Sequence, residues 1–382
     1  MASTLRTCIR LPSCPASGRP VEALGRISCG IRPAVLALLA GSVPSTAFAR
    51  ADGSEIDWIS MGSTFVAGLV LFLWGVRALS QRLREVGSER LREILRRSSD
   101  NRLRGLLCGT GVTLVLDSSS ATIVLLIALV DAGLLGFAAS LPIILGSNIG
   151  TTFSSQLFAL NAEALPPLLM AGGLGGVLLG RSVNGRRWGE VVFGVGMVLF
   201  ALHVIGLAME PLGDHAGVKD WLRNFEQPLL GLAAGAAATV AIQSSSAMMG
   251  IVIVMASQQL ISLETGLALM LGAEIGTCAD TLVASLGRSA AALRAGLFHL
   301  GFNIASALLG LMLIGPMAWF AQASAGTVAQ QIANAHVAFN VIGALLFFGF
   351  TGLIARWLQR LLPDRVHGPL NPPVAKGPAL DA

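Results

Sequence analysis

Two identical four-residue segments lie 126 residues apart within strongly apolar stretches of this 382-residue chain. They are Ser118–Ala121 and Ser244–Ala247. When Gly105–Thr152 is aligned with Gly231–Cys278 without a gap, 16 of the 48 positions are identical. Three hydroxyl groups in a row are costly to bury in an apolar environment unless a polar group meets them. The duplication therefore predicts two related halves, each with a polar site at membrane depth.

The composition indicates a chain that lies in a membrane. Hydrophobic residues make up 54% of the chain and charged residues 12%, whereas soluble domains have roughly a quarter charged residues. We therefore predict an all-α polytopic membrane protein without a sizeable domain outside the bilayer. The net charge of +5 comes from arginines clustered on short loops between apolar segments, so it does not predict nucleic-acid binding.

The first 49 residues have the pattern of a targeting segment. Arginines come first, followed by an apolar run at Ala34–Ala40 and the small-x-small sequence Ala47–Ala49. We expect a signal peptide for bacterial export, and the alternatives are an organellar transit peptide, a misplaced start codon or an uncleaved leader. The two cysteines beyond this segment, Cys108 and Cys278, lie in apolar stretches and are predicted to pack rather than to form a disulfide or metal site.

The remaining chain is predicted to contain about seven membrane spans. Residues 50–104 hold a first span near Ile56–Leu79 and then Ser80–Arg104, a basic amphipathic stretch expected to lie on the cytoplasmic membrane surface. A first repeat at 105–209 and a second at 229–357 are joined by a periplasmic connection at 210–228, and a disordered cytoplasmic tail covers 358–382. The later predicted spans are Ala138–Leu160, Glu163–Gly180, Trp188–Met209, Glu264–Ser285, Leu293–Gly315 and Ile332–Trp357.

Each triple serine is predicted to lie in a re-entrant helical hairpin. It is flanked on both sides by roughly a dozen apolar residues, too few for two spans of about 20 residues each. With both regions as hairpins, the loops at Arg181–Arg187 and Arg288–Arg294 fall on the same side as the tail, which agrees with the positive-inside rule. The two repeats are then inverted, with the mature N-terminus outside and the C-terminus in the cytoplasm.

The serines themselves suit the ends of buried helices. Serine is a preferred N-cap, so Ser118–Ser120 and Ser244–Ser246 are predicted to cap the helices that continue from Ala121 and Ala247. Helix N-termini carry partial positive charge and unpaired amides, which bind oxyanions, and hydroxyl oxygens also suit a hard cation such as Na⁺. The alternative is structural, with the serines bonding back to their own helix or joining neighbouring helices.

A Gly-x-x-Ile-Gly-Thr segment follows each triple serine by about 26 residues, at Gly146–Thr152 and Gly272–Cys278. Its glycines either break the helix and turn carbonyl groups inward or serve close helix packing. Asn148, Thr151 and Thr152 offer oxygen ligands for a cation.

Two histidines later in the chain each precede an asparagine by four residues and so share a helix face with it. These pairs are His299 with Asn303 and His336 with Asn340. Hydrogen bonds between helices are predicted for them, with a proton relay as the alternative.

Together these motifs resemble the sodium-dependent phosphate cotransporter family (type II Na/Pi). The resemblance is in Gln243–Ala247, Ser118–Thr122 and Gly146–Thr152, and the segments His299–Asn303 and His336–Asn340 are similar to the His-x-x-Phe-Asn segments of the family. It implies inverted repeats, a phosphate ion held between the hairpin tips, and sodium as the coupling ion with no other cofactor or metal. Many bacterial members carry a C-terminal PhoU-like helical domain, and we expect this chain to be a member without one.

The sequence departs from the family pattern at two carboxylates. Asp117 stands where the family has Gln before the serines, Glu274 replaces the Asn of the second Gly-x-Asn segment, and Cys278 replaces its last Thr. A carboxylate at membrane depth costs roughly 2.5–3.5 kcal/mol on insertion scales. Such a group binds a cation, carries a proton, neutralises a cationic neighbour or repels phosphate, unless it faces water at the hairpin edge. Asp131 and Asp280 are weaker candidates.

We therefore predict a transporter rather than an enzyme, located in the bacterial inner membrane. It would couple inorganic phosphate movement to sodium ions, with phosphate export or proton-coupled transport of another anion as the alternative. A phosphate sensor and an intramembrane hydrolase are less favoured. The predicted anion-binding residues are Ser118, Ser119, Ser120, Gln243, Ser244, Ser245 and Ser246. The predicted cation-binding residues are Asn148, Thr151, Thr152, Glu274, Thr277 and, undecided between the two groups, Asp117.

Overall fold

The computed structural model describes residues 57–97, 101–160 and 164–364. Helices dominate these residues, and no strand occurs among them. The leader predicted at 1–49 lies outside the described residues, as does the part of the predicted tail beyond residue 364. The tail prediction was wrong for residues 358–361, which belong to the last helix. The helices are α1 Trp58–Arg97, α2 Arg102–Leu116, α3 Ser119–Asp131, α4 Phe137–Phe158, α5 Leu165–Leu179, α6 Val183–Met209, α7 Ala216–Arg223, α8 Pro228–Ile242, α9 Ser245–Ser257, α10 Leu263–Gly276, α11 Cys278–Ser285, α12 Ala290–Met312, α13 Ile314–Ser324, α14 Val328–Phe348 and α15 Thr351–Leu361.

Several helices are long and apolar enough to cross a membrane, which confirms the predicted all-α polytopic class. Among the described residues five meet this criterion, or six if the bent pair Ala216–Glu226 and Pro228–Ile242 counts as one span. Two of the seven predicted spans, now α4 and the 15-residue α5, are not among them. The five are Trp58–Leu83, Val183–Gly213, Leu263–Ser285, Ala290–Met312 and Val328–Phe348.

The first span and the basic stretch after it form a single helix. The sequence predicted a span followed by a separate helix on the membrane surface, whereas α1 runs without a break over 40 residues. It packs along α6 through small residues, since a β-carbon at Gly75 would lie 3.0 Å from a methyl group of Val198. Further along, Arg82 pairs with Glu190 at 3.4 Å. The basic stretch therefore continues α1 as far as Arg97, and its Arg82 contacts α6.

Each triple-serine region forms two short helices joined at a tight turn, and the first of them packs closely on the helix after the hairpin. A β-carbon at Gly146 in α4 would lie 1.9 Å from the carbonyl oxygen of Leu106 in α2. In the second copy, a β-carbon at Gly272 would lie 2.0 Å from the carbonyl oxygen of Leu232 in α8. Both pairs are related by the 126-residue shift, so the sequence duplication is also a duplication of packing.

These contacts decide between the two roles considered for the glycines. In copy one α4 continues unbroken through Gly146 and Gly150, so its glycines serve close packing. In copy two the glycines pack in the same way, but α10 ends at Gly276 and α11 starts at Cys278. A helix interruption therefore accompanies only the second copy.

Each hairpin also has its own apolar core, built from equivalent positions. The buried residues around the first hairpin and around the second form separate clusters. Equivalent buried members include Ile123 and Met249, Leu126 and Val252, Ile144 and Met270, and Leu145 and Leu271.

The two hairpins end against different connections. At the end of α3, the Asp131 carboxylate accepts a hydrogen bond from the Ser289 amide at 2.8 Å and pairs with Arg288 at 3.3 Å. The hydrogen bond from the Ser289 amide lowers the pKa of the Asp131 carboxyl below its usual range. Beyond α9, Gln258 instead lies against Gly206 and Gly213. The two hairpins thus end beside different connections of the chain, as expected for inverted repeats. The inversion itself stays a prediction.

We predict that Gly272→Ala destabilises the protein by about 1–3 kcal/mol, because the added methyl group must displace the α8 backbone. Thermal unfolding of the purified protein in detergent measures the loss. Gly301→Ala in α12 is the matched control, since a β-carbon there meets nothing within 4 Å, and its melting temperature should stay near that of the parent. Equal melting temperatures for all three proteins would contradict the packing role.

Candidate functional site

The two hairpin tips have the same backbone geometry. Asp117 ends α2 in the left-handed region at φ 50° and ψ 36°, and Gln243 ends α8 at φ 60° and ψ 32°. The serine after each is extended, with φ −162° at Ser118 and −158° at Ser244. Non-glycine residues seldom adopt the left-handed conformation, and such strain is concentrated at functional sites. A polar residue with this conformation therefore marks both tips.

The first serine of each triplet caps the helix that follows, which confirms the predicted N-caps. Ser118 Oγ accepts a hydrogen bond from the Ala121 amide at 3.1 Å, and Ser244 Oγ accepts one from the Ala247 amide at 3.1 Å. Since each hydroxyl accepts through its oxygen, its proton stays available to donate. The other amides at the start of α3 and α9 have no partner further back in the helix and are further donors. Each tip is thus a cluster of hydrogen-bond donors at the positive end of a helix.

Both tips face one cavity of about 480 Å³. The first tip lines it with Asp117 and Ser118, and the second with Gln243 and Ser244. The structure therefore brings together residues that are far apart in the sequence. The remaining lining residues are Leu73, Val76, Arg77, Ser80 and Gln81 from α1, together with Ile242, Ala247 and Asp280.

The seven predicted anion-binding residues divide into two groups. Ser118, Gln243 and Ser244 line the cavity. The others occupy the first turns of α3 and α9 behind them, where Ser120 Oγ donates to the Thr277 carbonyl oxygen at 3.5 Å. This second group comprises Ser119, Ser120, Ser245 and Ser246.

Sequence reasoning missed Arg77 and gave too little weight to Asp280, both of which line the cavity. The signal for Arg77 was a lone arginine inside the predicted first span, since charged residues in apolar spans usually face a polar interior. Asp280 lies four residues beyond Gly276, within the long apolar segment Leu263–Ser285.

Asp280 supplies copy two with a cavity-lining carboxylate, which the tip of copy two lacks. In copy one the tip carboxylate of Asp117 accepts a hydrogen bond from Ser154 Oγ of α4. In copy two the equivalent positions, again shifted by 126 residues, hold Gln243 and Asp280. Each copy therefore carries one carboxylate at this pair of positions, on the tip in copy one and on the following helix in copy two.

A buried polar layer lies apart from the cavity lining and contains Glu274. His336 Nε2 lies 2.7 Å from Glu274 Oε1, and Asn340 donates to the same oxygen at 3.3 Å. His336 Nδ1 lies 2.7 Å from Ser155 Oγ. The neutral imidazole satisfies both contacts if Ser155 donates to Nδ1 and Nε2–H donates to Glu274.

The other half of this layer has a related arrangement without a carboxylate and without a histidine contact to the equivalent residue. Asn148 donates to Asn303 Oδ1 at 3.0 Å, and Thr281 Oγ1 lies 2.8 Å from His299 Nδ1. Asn148 is the counterpart of Glu274, and Thr281 corresponds to Ser155. Hydrogen bonding between helices, predicted for both histidine–asparagine pairs, is confirmed.

The six predicted cation-binding residues are likewise divided. Asp117 lines the cavity, whereas the other five lie buried behind it. Thr151 Oγ1 donates to the Asn148 carbonyl oxygen at 2.7 Å, and Thr152 Oγ1 to that of Ile149 at 2.8 Å. The five buried residues are Asn148, Thr151, Thr152, Glu274 and Thr277.

A second cavity of about 610 Å³ lies at the opposite end of α9. The beginning of α9 borders the first cavity at Ser244 and Ala247, and its end borders the second from Ile253 to Gln258. The exposed side chains of His203 and Glu210 also line this second cavity. One short helix thus separates two spaces.

The comparison with known families decides the identity of this arrangement. The chain matches the Na⁺/Pi-cotransporter family over residues 71–206 and 213–354. It belongs to this family. Each matched stretch contains one hairpin with its serine tip, so the two cavity-lining tips come from the two matched halves. No solved structure matches the chain.

The chain is also similar to individual proteins of bacteria and of the mouse. The chain is 30% identical to "Uncharacterized protein YqeW" of Bacillus subtilis over 303 residues, which is 79% of this chain and 98% of the relative. It is 26% identical over 300 residues to "Putative inorganic phosphate export protein YjbB" of Salmonella typhimurium, covering 78% of this chain and 55% of that protein. A shorter match, 33% over 97 residues, is to "Sodium-dependent phosphate transport protein 2A" of the mouse, covering 25% and 15% of the two chains.

We predict that His336→Ala destabilises the protein by about 3–5 kcal/mol, because it leaves the buried Glu274 carboxylate without its main partner. Glu274→Gln should cost much less, since its amide oxygen still accepts from His336 and Asn340. Chemical unfolding of both variants in detergent measures the difference. The histidine–carboxylate bond would be unimportant if the two variants were equally stable.

Proposed function

We propose that this protein is a secondary active transporter that couples inorganic phosphate movement to sodium ions. The observation that carries the proposal is one cavity faced by two serine-capped helix N-termini, in a chain of the Na⁺/Pi-cotransporter family. Among the described residues, the fold contains no separate domain that would be needed to complete this site. The names of two relatives describe phosphate export and sodium-dependent phosphate transport, and no catalytic step is proposed.

Phosphate would bind between the two tips. Hydroxyl protons of Ser118 and Ser244 donate to its oxygens, together with the side-chain amide of Gln243 and the free amides of the first turns. Helix N-termini stabilise an anion by their partial positive charge, and both act on the same point from two helices. Ser119, Ser120, Ser245 and Ser246 contribute these amides and hold the turns in place.

Sodium would bind at the carboxylate and carbonyl oxygens near the tips. Asp117 lies at the cavity wall and is the first candidate, since hard cations prefer oxygen ligands. Asn148, Thr151, Thr152, Glu274 and Thr277 form the deeper candidates. The Ser120–Thr277 hydrogen bond joins the first tip to this deeper layer, so occupancy of one would influence the geometry of the other.

Access from the two sides would alternate between the two cavities. Because α9 borders both, a small displacement of this helix relative to α1 and α6 changes the openings at its two ends together. We place the protein in the bacterial inner membrane with its mature N-terminus outside and its C-terminus in the cytoplasm, because the arginine-rich loops then lie inside.

A second candidate is phosphate export, or transport coupled to protons. The name of the YjbB relative describes inorganic phosphate export. The buried Glu274–His336 contact joins a carboxyl group to an imidazole, whereas copy one has the amide of Asn148 at the position of Glu274. Direction follows from the gradients, so both candidates use the same anion site.

We predict that Ser118→Ala combined with Ser244→Ala lowers sodium-driven phosphate uptake by at least about tenfold, because each hydrogen bond to a charged group is worth about 1.5–3 kcal/mol. Uptake of radiolabelled phosphate into proteoliposomes, with and without an inward sodium gradient, measures this loss. Ser182→Ala is the control, since it removes an equivalent N-cap of α6 outside the cavity and should keep the parent rate.

Three outcomes separate the candidates. Uptake that follows a proton gradient and ignores sodium supports proton coupling, and efflux from loaded vesicles under the cellular gradients supports export. Phosphate flux that is absent from the unaltered protein, or that is insensitive to both the gradients and the serine substitutions, contradicts the proposed function.

A further inference from the structure

We propose that Arg77 is an anion-binding residue of the cavity, supplied by α1 and opposed to the two serine tips. The inference rests on the proposed function, because it names phosphate as the anion. It adds to the site a formal positive charge, whereas neither hairpin contributes an arginine or lysine to the cavity lining. The hairpins contribute neutral donors, namely amides and hydroxyls, whereas Arg77 contributes a guanidinium group.

The position of Arg77 on α1 supports this role. The five α1 residues that line the cavity are spaced at i, i+3, i+4, i+7 and i+8, which is one face of a helix. This face changes from apolar at its beginning to polar at its end. The residues in order are Leu73, Val76, Arg77, Ser80 and Gln81.

Arg77 has no protein partner, unlike several other arginines of the described residues. Arg82 pairs with Glu190, Arg288 with Asp131, and Arg294 with Asp364. Arg77 is exposed to the cavity and forms no hydrogen bond or ion pair with any residue that the structure describes. Its guanidinium is therefore available to a ligand.

An arginine near the end of a span is often explained by its side chain reaching the membrane surface. Here α1 continues for 20 further residues beyond Arg77, to Arg97. Arg82, five positions later, already provides a charge that is paired with α6. The side chain of Arg77 instead borders the space between the tips, where a surface anchor has no function.

The charges around the cavity require a cation at this place. Asp117 and Asp280 line the same cavity, and two carboxylates repel an incoming oxyanion. Arg77 offsets one of these charges. Its planar group with several N–H donors matches two oxygens of a tetrahedral oxyanion, which a lysine ammonium does not reproduce.

The test compares three variants in proteoliposomes and in detergent. Arg77→Gln should raise the KM for phosphate by about ten- to a hundredfold, as expected for loss of a charged hydrogen bond, while the dependence on sodium remains. Arg77→Lys should show a smaller increase, because the charge stays but the two-oxygen contact is lost. Arg82→Gln lies on the same helix outside the cavity lining and should keep the parent KM.

Melting temperatures of the variants establish that they are folded. If Arg77→Gln does not fold, Arg77→Lys decides: a raised KM supports the guanidinium contact, and an unchanged KM overturns it. A folded Arg77→Gln with the parent KM overturns this inference while leaving the proposed function intact. An unaltered protein that neither binds nor transports phosphate overturns both.

Discussion

The structure depends on the contact between glycines and carbonyl groups that joins each hairpin to the helix after it. At Gly146 and Gly272 the backbones of two helices approach so closely that no β-carbon fits between them. In a membrane, association of helices relies on such close packing because lipid provides no hydrophobic driving force between them. The contact fixes the first arm of each hairpin and so decides where its tip lies. Because both copies make this contact, both tips are held at positions where they line the same cavity.

The two copies agree in backbone and differ in charge. Tip conformation, serine caps and glycine contacts repeat with the same shift, whereas the carboxylate moves from the tip at Asp117 to the following helix at Asp280. In the buried layer, Asn148 and Glu274 make equivalent contacts to asparagines of α12 and α14, but only Glu274 also meets a histidine. The scaffold is thus symmetric, while each half of the site has its own electrostatic character.

Features set by neighbouring residues could be predicted from the sequence. Serine caps follow from the local competition for unpaired amides, so Ser118 and Ser244 were identified with their roles. The helical class followed from apolar composition. Features set by distant contacts were missed: a lone arginine within a span indicates a polar surrounding, but the sequence does not show that Arg77 and Asp280 line the same cavity as the tips. The continuity of α1 past the first span was also missed, because a basic amphipathic pattern is the same for a surface helix and for one packed on α6.

The use of main-chain amides at the tips has a consequence for how such a duplicated chain diverges. A side chain is lost by one substitution, but an N–H group at a helix N-terminus persists through every substitution except proline. The main-chain donors at the two tips are therefore insensitive to most sequence drift. The side chains beside them, such as Asp117 and Gln243, can differ between the copies while the backbone of the two tips stays the same. The same tip backbone can therefore carry different side-chain chemistry in its two copies.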